Sequence, residues 1–201
     1  MGKNYSGNTG RVNGTRKESD SYSTPYSLTR LLLQKESFFS PIYEPACGED
    51  KAIVKVLEEN GYETEFSDLL YGDDFLQARD KNPVASIVTN PPYSLAFEFI
   101  QKAKQIAKRQ IAMLLPLSYL HGQQRYEQIW QDTVFPLARI WVFTRYPMLG
   151  DPIREDGKVR TGMQVYAWMI WEKGHVGPAT IGWLDLQPYI LGKKDSKEGT
   201  K

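Results

Sequence analysis

Residues 84–107 read VASIVTNPPYSLAFEFIQKAKQIA. Val84 to Thr89 is a short apolar run rich in β-branched residues, which predicts a buried strand. It enters Asn90-Pro91-Pro92-Tyr93. Leu95 to Ala107 then carries apolar residues at 96, 97, 99, 100, 103, 106 and 107, the spacing of an amphipathic helix. Two prolines directly after a buried strand remove two backbone donors where a helix would otherwise start. This turn is therefore under a constraint beyond folding.

Upstream, Pro41-Ile42-Tyr43 is a short apolar strand ending in Glu44-Pro45-Ala46-Cys47-Gly48. Asp50 to Glu59 has apolar residues at 53, 54, 56 and 57, which predicts a helix. Asn60-Gly61 stops it, and Tyr62 to Ser67 alternates as a second strand before Asp68. Downstream, Ile111 to Leu117 is a continuous apolar strand of the kind a parallel sheet buries on both faces. A helix from about Gln123 to Gln131 follows. Arg139 to Thr144, Met163 to Trp171 and Thr180 to Trp183 are strand-like, with no long helix between the final two, which predicts an antiparallel edge. Arg145 to Gly162, with Pro147, Gly150, Pro152 and Gly157 among charged residues, is expected to be a long surface loop, of the length that is usually functional or disordered. The fold class is α/β: a Rossmann-like, doubly wound, mostly parallel sheet.

The chain of 201 residues is 41% hydrophobic, enough for one core and too short for two ordinary domains. One domain over 21–191 is expected, flanked by tails at 1–20 and 192–201 whose compositions do not offset the entropy of ordering. The first tail carries Lys3, Arg11, Arg16 and Lys17, read as a solvated tail ahead of a nucleic-acid arm. No apolar run is long enough to span a bilayer and no signal-peptide core opens the chain, so a cytoplasmic protein is expected. One cysteine, Cys47, and two histidines, His121 and His175, make a zinc mechanism and any other metal site unexpected. The net charge of +1 neither demands nor excludes nucleic acid.

The turn EPACG lies where a doubly wound sheet opens to a nucleotide-like ligand. Asp68, at the end of the second strand, stands at the offset of an acid that meets ribose hydroxyls. Read alone, the first is ordinary loop chemistry and the second an ordinary helix cap. Asp73-Asp74-Phe75 offers a carboxylate beside a ring, suited to an adenine amino group, or else a simple turn. The NPPY turn is suited to an exocyclic amino group, whose lone pair is delocalised into its ring. If the Asn90 side-chain oxygen and the Pro91 carbonyl each accept one amino proton, the nitrogen is drawn toward tetrahedral geometry. Its lone pair can then meet a methyl sulfonium. Pro92 helps lock the carbonyl outward, and Tyr93 can stack on a flipped base.

With YSTP at 22–25 and EPACG upstream of NPPY, residues 21–185 resemble amino-methyltransferases of the class I S-adenosylmethionine-dependent fold. The likeness is greatest to small adenine-N6 methyltransferase-like proteins of phages and prophages. The resemblance implies S-adenosyl-L-methionine as cofactor. It implies contacts from Tyr22, Thr24 and Pro25 to the cofactor's amino-acid part, and from Glu44, Pro45, Ala46, Cys47 and Gly48 as the cofactor loop. It also implies Asp68 on the ribose, Asp74-Phe75 on the adenine, and Asn90, Pro91, Pro92 and Tyr93 as the catalytic tetrapeptide, with Asn90 also at the cofactor. Asp50 stands where the family usually has a second glycine. The Asp68 to Asp74 interval is too short for the usual helix and strand, which implies a sheet one strand smaller.

No segment of separate target-recognition size interrupts or follows these motifs, so sequence choice is expected from His121 to Arg125 and the 145–162 loop. His121 is a candidate substrate contact or a satisfied loop histidine; Arg125, Arg145, Arg154 and Arg160 are candidate phosphate contacts or solvated charges. Methylation of adenine N6 is the leading expectation, with DNA ahead of RNA. A glutamine-amide protein methyltransferase and a non-catalytic cofactor-binding partner subunit are the alternatives.

Overall fold

The computed structural model describes residues 24–77, 83–144 and 164–186. Its helices are α1 (Tyr26–Leu33), α2 (Ala52–Glu59), α3 (Ala96–Ile106) and the short α4 (Gln123–Arg125). Its strands are β1 (Ile42–Glu44), β2 (Thr64–Phe66), β3 (Val84–Thr89), β4 (Ala107–Pro116), β5 (Leu137–Phe143), β6 (Tyr166–Glu172) and β7 (Thr180–Leu184). They form one sheet in the order β2-β1-β3-β4-β6-β5-β7. Pairing is parallel from β2 to β4, antiparallel on both sides of β6, and parallel again between β5 and β7. The sheet is thus α/β and mostly parallel, with its antiparallel pairing toward one edge. Chain direction across the sheet reverses between β1 and β3, which opens a crevice at their carboxyl ends.

Side chains of adjacent residues point to opposite faces of a strand, and this alternation divides the core in two. Ile87, Ile111, Met113, Leu115, Met169 and Trp171 pack with Phe99, Ile100 and Ala103 of α3. Val88, Ala112, Leu114, Trp168 and Ile170 pack with Leu28 and Leu32 of α1 and Ile53 and Leu57 of α2. Residues 111–115 and 167–171 are wholly buried, which explains their unbroken apolar sequence.

Local chemistry sets the boundaries. α2 ends in a Schellman arrangement: Gly61 N–H donates to the Glu58 carbonyl at 2.9 Å and Tyr62 N–H to the Leu57 carbonyl at 3.1 Å. Gly61 takes φ +81° to allow it. Between β2 and β3, Leu69–Tyr71 is a single 3₁₀ turn capped by Asp68, so among the described residues β2 is itself the edge.

Three expectations are corrected. β4 begins at Ala107, directly after α3: Ala107 pairs with Val84 and Gln110 with Ser86, so β4 carries one extra residue opposite β3 there. It ends at Pro116 and not at Leu117, and Leu117–Leu120 is a 3₁₀ turn that leads to His121. The helix expected from Gln123 to Gln131 is one turn of α4 passing into a π-helical turn, Tyr126–Trp130. The helix α1 was not among the sequence expectations. It is held by tertiary contacts, including the Trp168 indole N–H donating to the Leu28 carbonyl at 3.0 Å. No helix among the described residues is long and apolar enough to cross a membrane.

Candidate functional site

The carboxyl ends of β1, β2 and β3 bring together residues far apart in sequence. Glu44 closes β1 with no solvent exposure. Its Oε1 accepts from the Ala46 N–H at 3.0 Å and the Thr89 hydroxyl at 2.6 Å, while Oε2 is buried with no hydrogen-bond partner. Burial pushes the Glu44 carboxyl up to about 8, against the lowering effect of Thr89 and Ala46 and with a further push from Asp68. Near neutral pH it is therefore largely protonated.

Asp68 ties this loop to β2. One carboxylate oxygen accepts from the Gly48 N–H at 2.8 Å and the other from the Leu70 N–H at 2.9 Å. Cys47 N–H donates to the Ser67 carbonyl, and Ser67 N–H to the Glu44 carbonyl. The backbone turns left-handed at Gly48 (φ +63°) and again at Lys51 (φ +49°), beside the Asp50 noted in the sequence. The Lys51 ammonium lies 4.0 Å from the Phe66 ring centroid and 5.4 Å from that of Tyr71. The buried Cys47 thiol is pushed up to about 11 by burial and by Glu44 and Asp68, which removes thiolate chemistry near neutral pH.

The NPPY turn meets the upstream Thr24-Pro25. The Asn90 side-chain N–H donates to the Thr24 hydroxyl at 3.0 Å across 66 residues. This contact orients the amide, and Asn90 Oδ1 is left out of contact with solvent and without a hydrogen-bond partner among the described residues. An amide oxygen held this way costs about 1–3 kcal/mol, which a ligand donor would recover. Thr24 is buried and Pro25 leads into α1, with Leu28 N–H donating to its carbonyl. Pro91 is buried; Pro92, half-buried, accepts from the Leu95 N–H at 2.9 Å, setting the turn into α3. The Tyr93 ring lies 5.6 Å from that of Tyr166, tilted by 37°.

Other expected contacts are placed differently. Phe75 is only 3% exposed, with its ring 4.9 Å from Phe99 and 5.9 Å from Tyr43. It is a core residue, and the expected adenine-stacking face is taken by packing. Asp74 accepts from the Leu76 N–H at 2.9 Å, capping its own turn. His121 is exposed. Arg125 is folded back: its guanidinium donates to the His121 carbonyl and sits 4.5 Å over the Tyr119 ring. Tyr22, Arg145, Arg154 and Arg160, most of the 145–162 loop and both tails lie outside the described residues.

Two residues that sequence reasoning missed contact the candidate site. Thr89 anchors Glu44, and the available signal is a hydroxyl in the last position of an apolar strand. Tyr166 meets Tyr93 and has no such signal, since it opens the apolar run of β6. Near it, an open depression is lined by Leu117, Ser118, Gln164 and Val165. Among the described residues, no group of three or more His, Cys, Asp or Glu side chains is disposed to hold a metal ion.

No protein-family model matches this chain, and no curated protein matches it in sequence. Solved structures do resemble it. The type I restriction-modification methyltransferase subunit from Streptococcus thermophilus superimposes with a TM-score of 0.58 at 12% identity, over 87% of this chain and 49% of that one. A modification subunit assigned to a type I restriction enzyme from Vibrio vulnificus YJ016 gives 0.51 at 13% identity, over 83% and 47%. The chain therefore has the class I methyltransferase fold, and it spans about half the length of these neighbours.

Proposed function

We propose that this chain is an S-adenosylmethionine-dependent methyltransferase acting on the exocyclic N6 of adenine in DNA. The observation that carries the reading is Asn90 Oδ1, a buried acceptor with no partner, oriented by the Thr24 hydroxyl. An acceptor in this position suits a substrate that brings two N–H donors, as an amino group does. The restriction-modification neighbours support DNA as the polymer, as does the NPPY resemblance.

The residues present fit the cofactor. Glu44 offers an unpartnered buried oxygen at the end of β1, and Asp68 fixes the Gly48 backbone beside it. Glu44 to Gly48, Asp68 and Thr24-Pro25 would hold it. When bound, it supplies a methyl group on a positively charged sulfur. Asn90 Oδ1 and the Pro91 carbonyl take one amino proton each by hydrogen bonding, so that the nitrogen lone pair is directed toward the incoming methyl. The Tyr93 ring holds the base plane at a cost of a few kcal/mol of unstacking. His121, one face of Arg125, and Arg145 would contact the flanking strand.

The test is methyl transfer from radiolabelled cofactor to duplex DNA, single-stranded DNA and RNA, read by nucleoside mass spectrometry. N6-methyladenine is expected in DNA, falling by at least about 100-fold in Asn90→Ala, the scale on which loss of a positioned hydrogen-bonding group acts. Retained cofactor affinity in that variant places the effect on the substrate. Cofactor binding with no methylated nucleoside in any pool would sink the reading and favour a glutamine-amide substrate or a non-catalytic subunit.

A further inference from the structure

The amino-terminal end of β4, opposite the crevice, carries a cluster of cations that the fold does not pair. β4 has one residue more than β3 between its pairs with Val84 and Ser86, and the extra length falls at Lys108 and Arg109. A bulge of this kind re-aims side chains. Both residues are exposed, in a strand that is otherwise buried from Gln110 to Pro116.

The neighbouring strand adds a third cation. Lys173 N–H donates to the Arg109 carbonyl at 2.9 Å, one step beyond the Gln110–Glu172 pair, and Lys173 is exposed as well. Like charges on adjoining strands repel. Lys108, Arg109 and Lys173 have no ion-pair partner among the described residues, and the adjacent acid, Glu172, is held by Arg139 at 2.5 Å. An aromatic ring completes the cluster. The Arg109 guanidinium lies 4.8 Å over the ring of Phe39, which is 51% exposed. Phe39 N–H donates to the Ser86 hydroxyl at 3.2 Å, which ties it to β3. The ring steadies the guanidinium without neutralising it. Cations fixed side by side in this way are relieved by a ligand that brings anions in a row, as a phosphodiester backbone does.

We infer that Lys108, Arg109 and Lys173, with Phe39, form a second nucleic-acid contact, which takes the DNA backbone outside the crevice. This rests on the DNA reading above. β4 runs ten residues from the patch to Pro116, roughly 30 Å at about 3.3 Å per residue. The patch therefore meets phosphates at a distance from the base held at Asn90. It contributes affinity for the polymer and has no part in the choice of base or in the transfer step.

Binding of a fluorescent duplex of about 40 base pairs, followed across salt concentration, tests the inference. In Lys108→Ala/Arg109→Ala/Lys173→Ala the slope of log affinity against log salt is expected to be shallower by about 2–3, roughly one for each lost phosphate contact. Binding at low salt is expected to weaken by at least about 10-fold. The charge-retaining Lys108→Arg/Arg109→Lys/Lys173→Arg is expected to keep the slope, as is Lys55→Ala, which removes an exposed cation on α2. Methylation of the same duplex by the triple alanine variant should show a raised KM at unchanged kcat. Removing mutually repelling surface charges leaves the domain folded, which a thermal melt verifies. Wild-type slope and affinity in the triple alanine variant would overturn the inference and leave the methyltransferase reading standing. Tighter binding of polyglutamate than of the duplex, lost in the same variant, would also overturn it and assign the patch to an acidic protein. The expected loss of slope with no methylated nucleoside would support the contact and sink the methyltransferase reading alone.

Discussion

At the amino-terminal end of the parallel strands, Glu36 is buried and charge-paired. Its Oε1 accepts from Arg139 Nε and from the Trp141 indole N–H, both at 2.6 Å, and Arg139 also reaches Glu172 at 2.5 Å. At the carboxyl end, Glu44 is equally buried, yet its only donors are the neutral Thr89 hydroxyl and Ala46 N–H, and Oε2 has none. The first end follows the rule that a buried charge is paired with an opposite charge. At the second, the crevice where chain direction reverses, burial keeps Glu44 neutral in place of pairing it, and Asn90 Oδ1 is likewise left without a partner. The Glu36 cluster is closed by charge pairing, whereas at the crevice Glu44 Oε2 and Asn90 Oδ1 remain open hydrogen-bonding groups.

The largest expected effect breaks the complete end. Arg139→Met leaves Glu36 buried with only the indole donor and releases Glu172. A partly buried pair of this kind is expected to cost about 2–3 kcal/mol, below the cost of a fully buried one. Urea unfolding measures it as a lower midpoint at unchanged slope. Cofactor affinity, read on the folded fraction, is expected to stay within about 2-fold, because no residue of this cluster touches the other end; a loss of tenfold or more would show that the two ends are coupled.

A smaller effect is expected from Thr24→Val, which keeps side-chain shape and removes the acceptor for the Asn90 amide. Stability should fall by about 1 kcal/mol, the net worth of one such bond. Methyl transfer should fall by about 10-fold as the amide loses its fixed orientation. Equal turnover in Thr24→Val and wild type would mean that Asn90 is oriented by the turn alone, and that the contact across 66 residues serves the fold.

The same contrast explains what the sequence could and could not disclose. The strand Val84–Thr89, the β1-α2-β2 unit and the double burial of residues 111–115 follow from periodicity and turn residues, which are local signals. The short α1 has no comparable signal, since eight residues are marginal as a helix and these are held by Trp168 and by packing against α2. The pairing of β7 with β5 is likewise non-local. At the site, Asn90 was legible because two prolines have no folding rationale there, and Glu44 because it ends a strand before a glycine turn. The core burial of Phe75 was not legible because an aromatic after a turn has the same sequence appearance whether it faces a ligand or the core. Arg139, far from Glu36 in sequence, could not be assigned its partner from any pattern.

The effect that is smallest at pH 5, and grows as pH rises, isolates Glu44. Its folded carboxyl titrates near 8, above the ordinary value of 4.5, because burial penalises the charged form. Its contribution to stability is therefore complete below about pH 4.5, where both folded and unfolded chains hold the proton. It declines as pH rises toward 8, because the unfolded chain releases the proton while the folded chain must keep it. Glu44→Gln retains a neutral acceptor for Ala46 and Thr89, so at pH 5 it should change stability by less than about 1 kcal/mol. Between pH 5 and 8 the variant should lose the Glu44 share of the downward slope, so that it gains on the wild type with each step in pH. Urea midpoints of the two proteins at pH 5, 6.5 and 8 measure the difference. Parallel pH profiles would mean that Glu44 is ionised when folded and has a cationic partner, and the carboxyl end would then resemble the amino-terminal end after all.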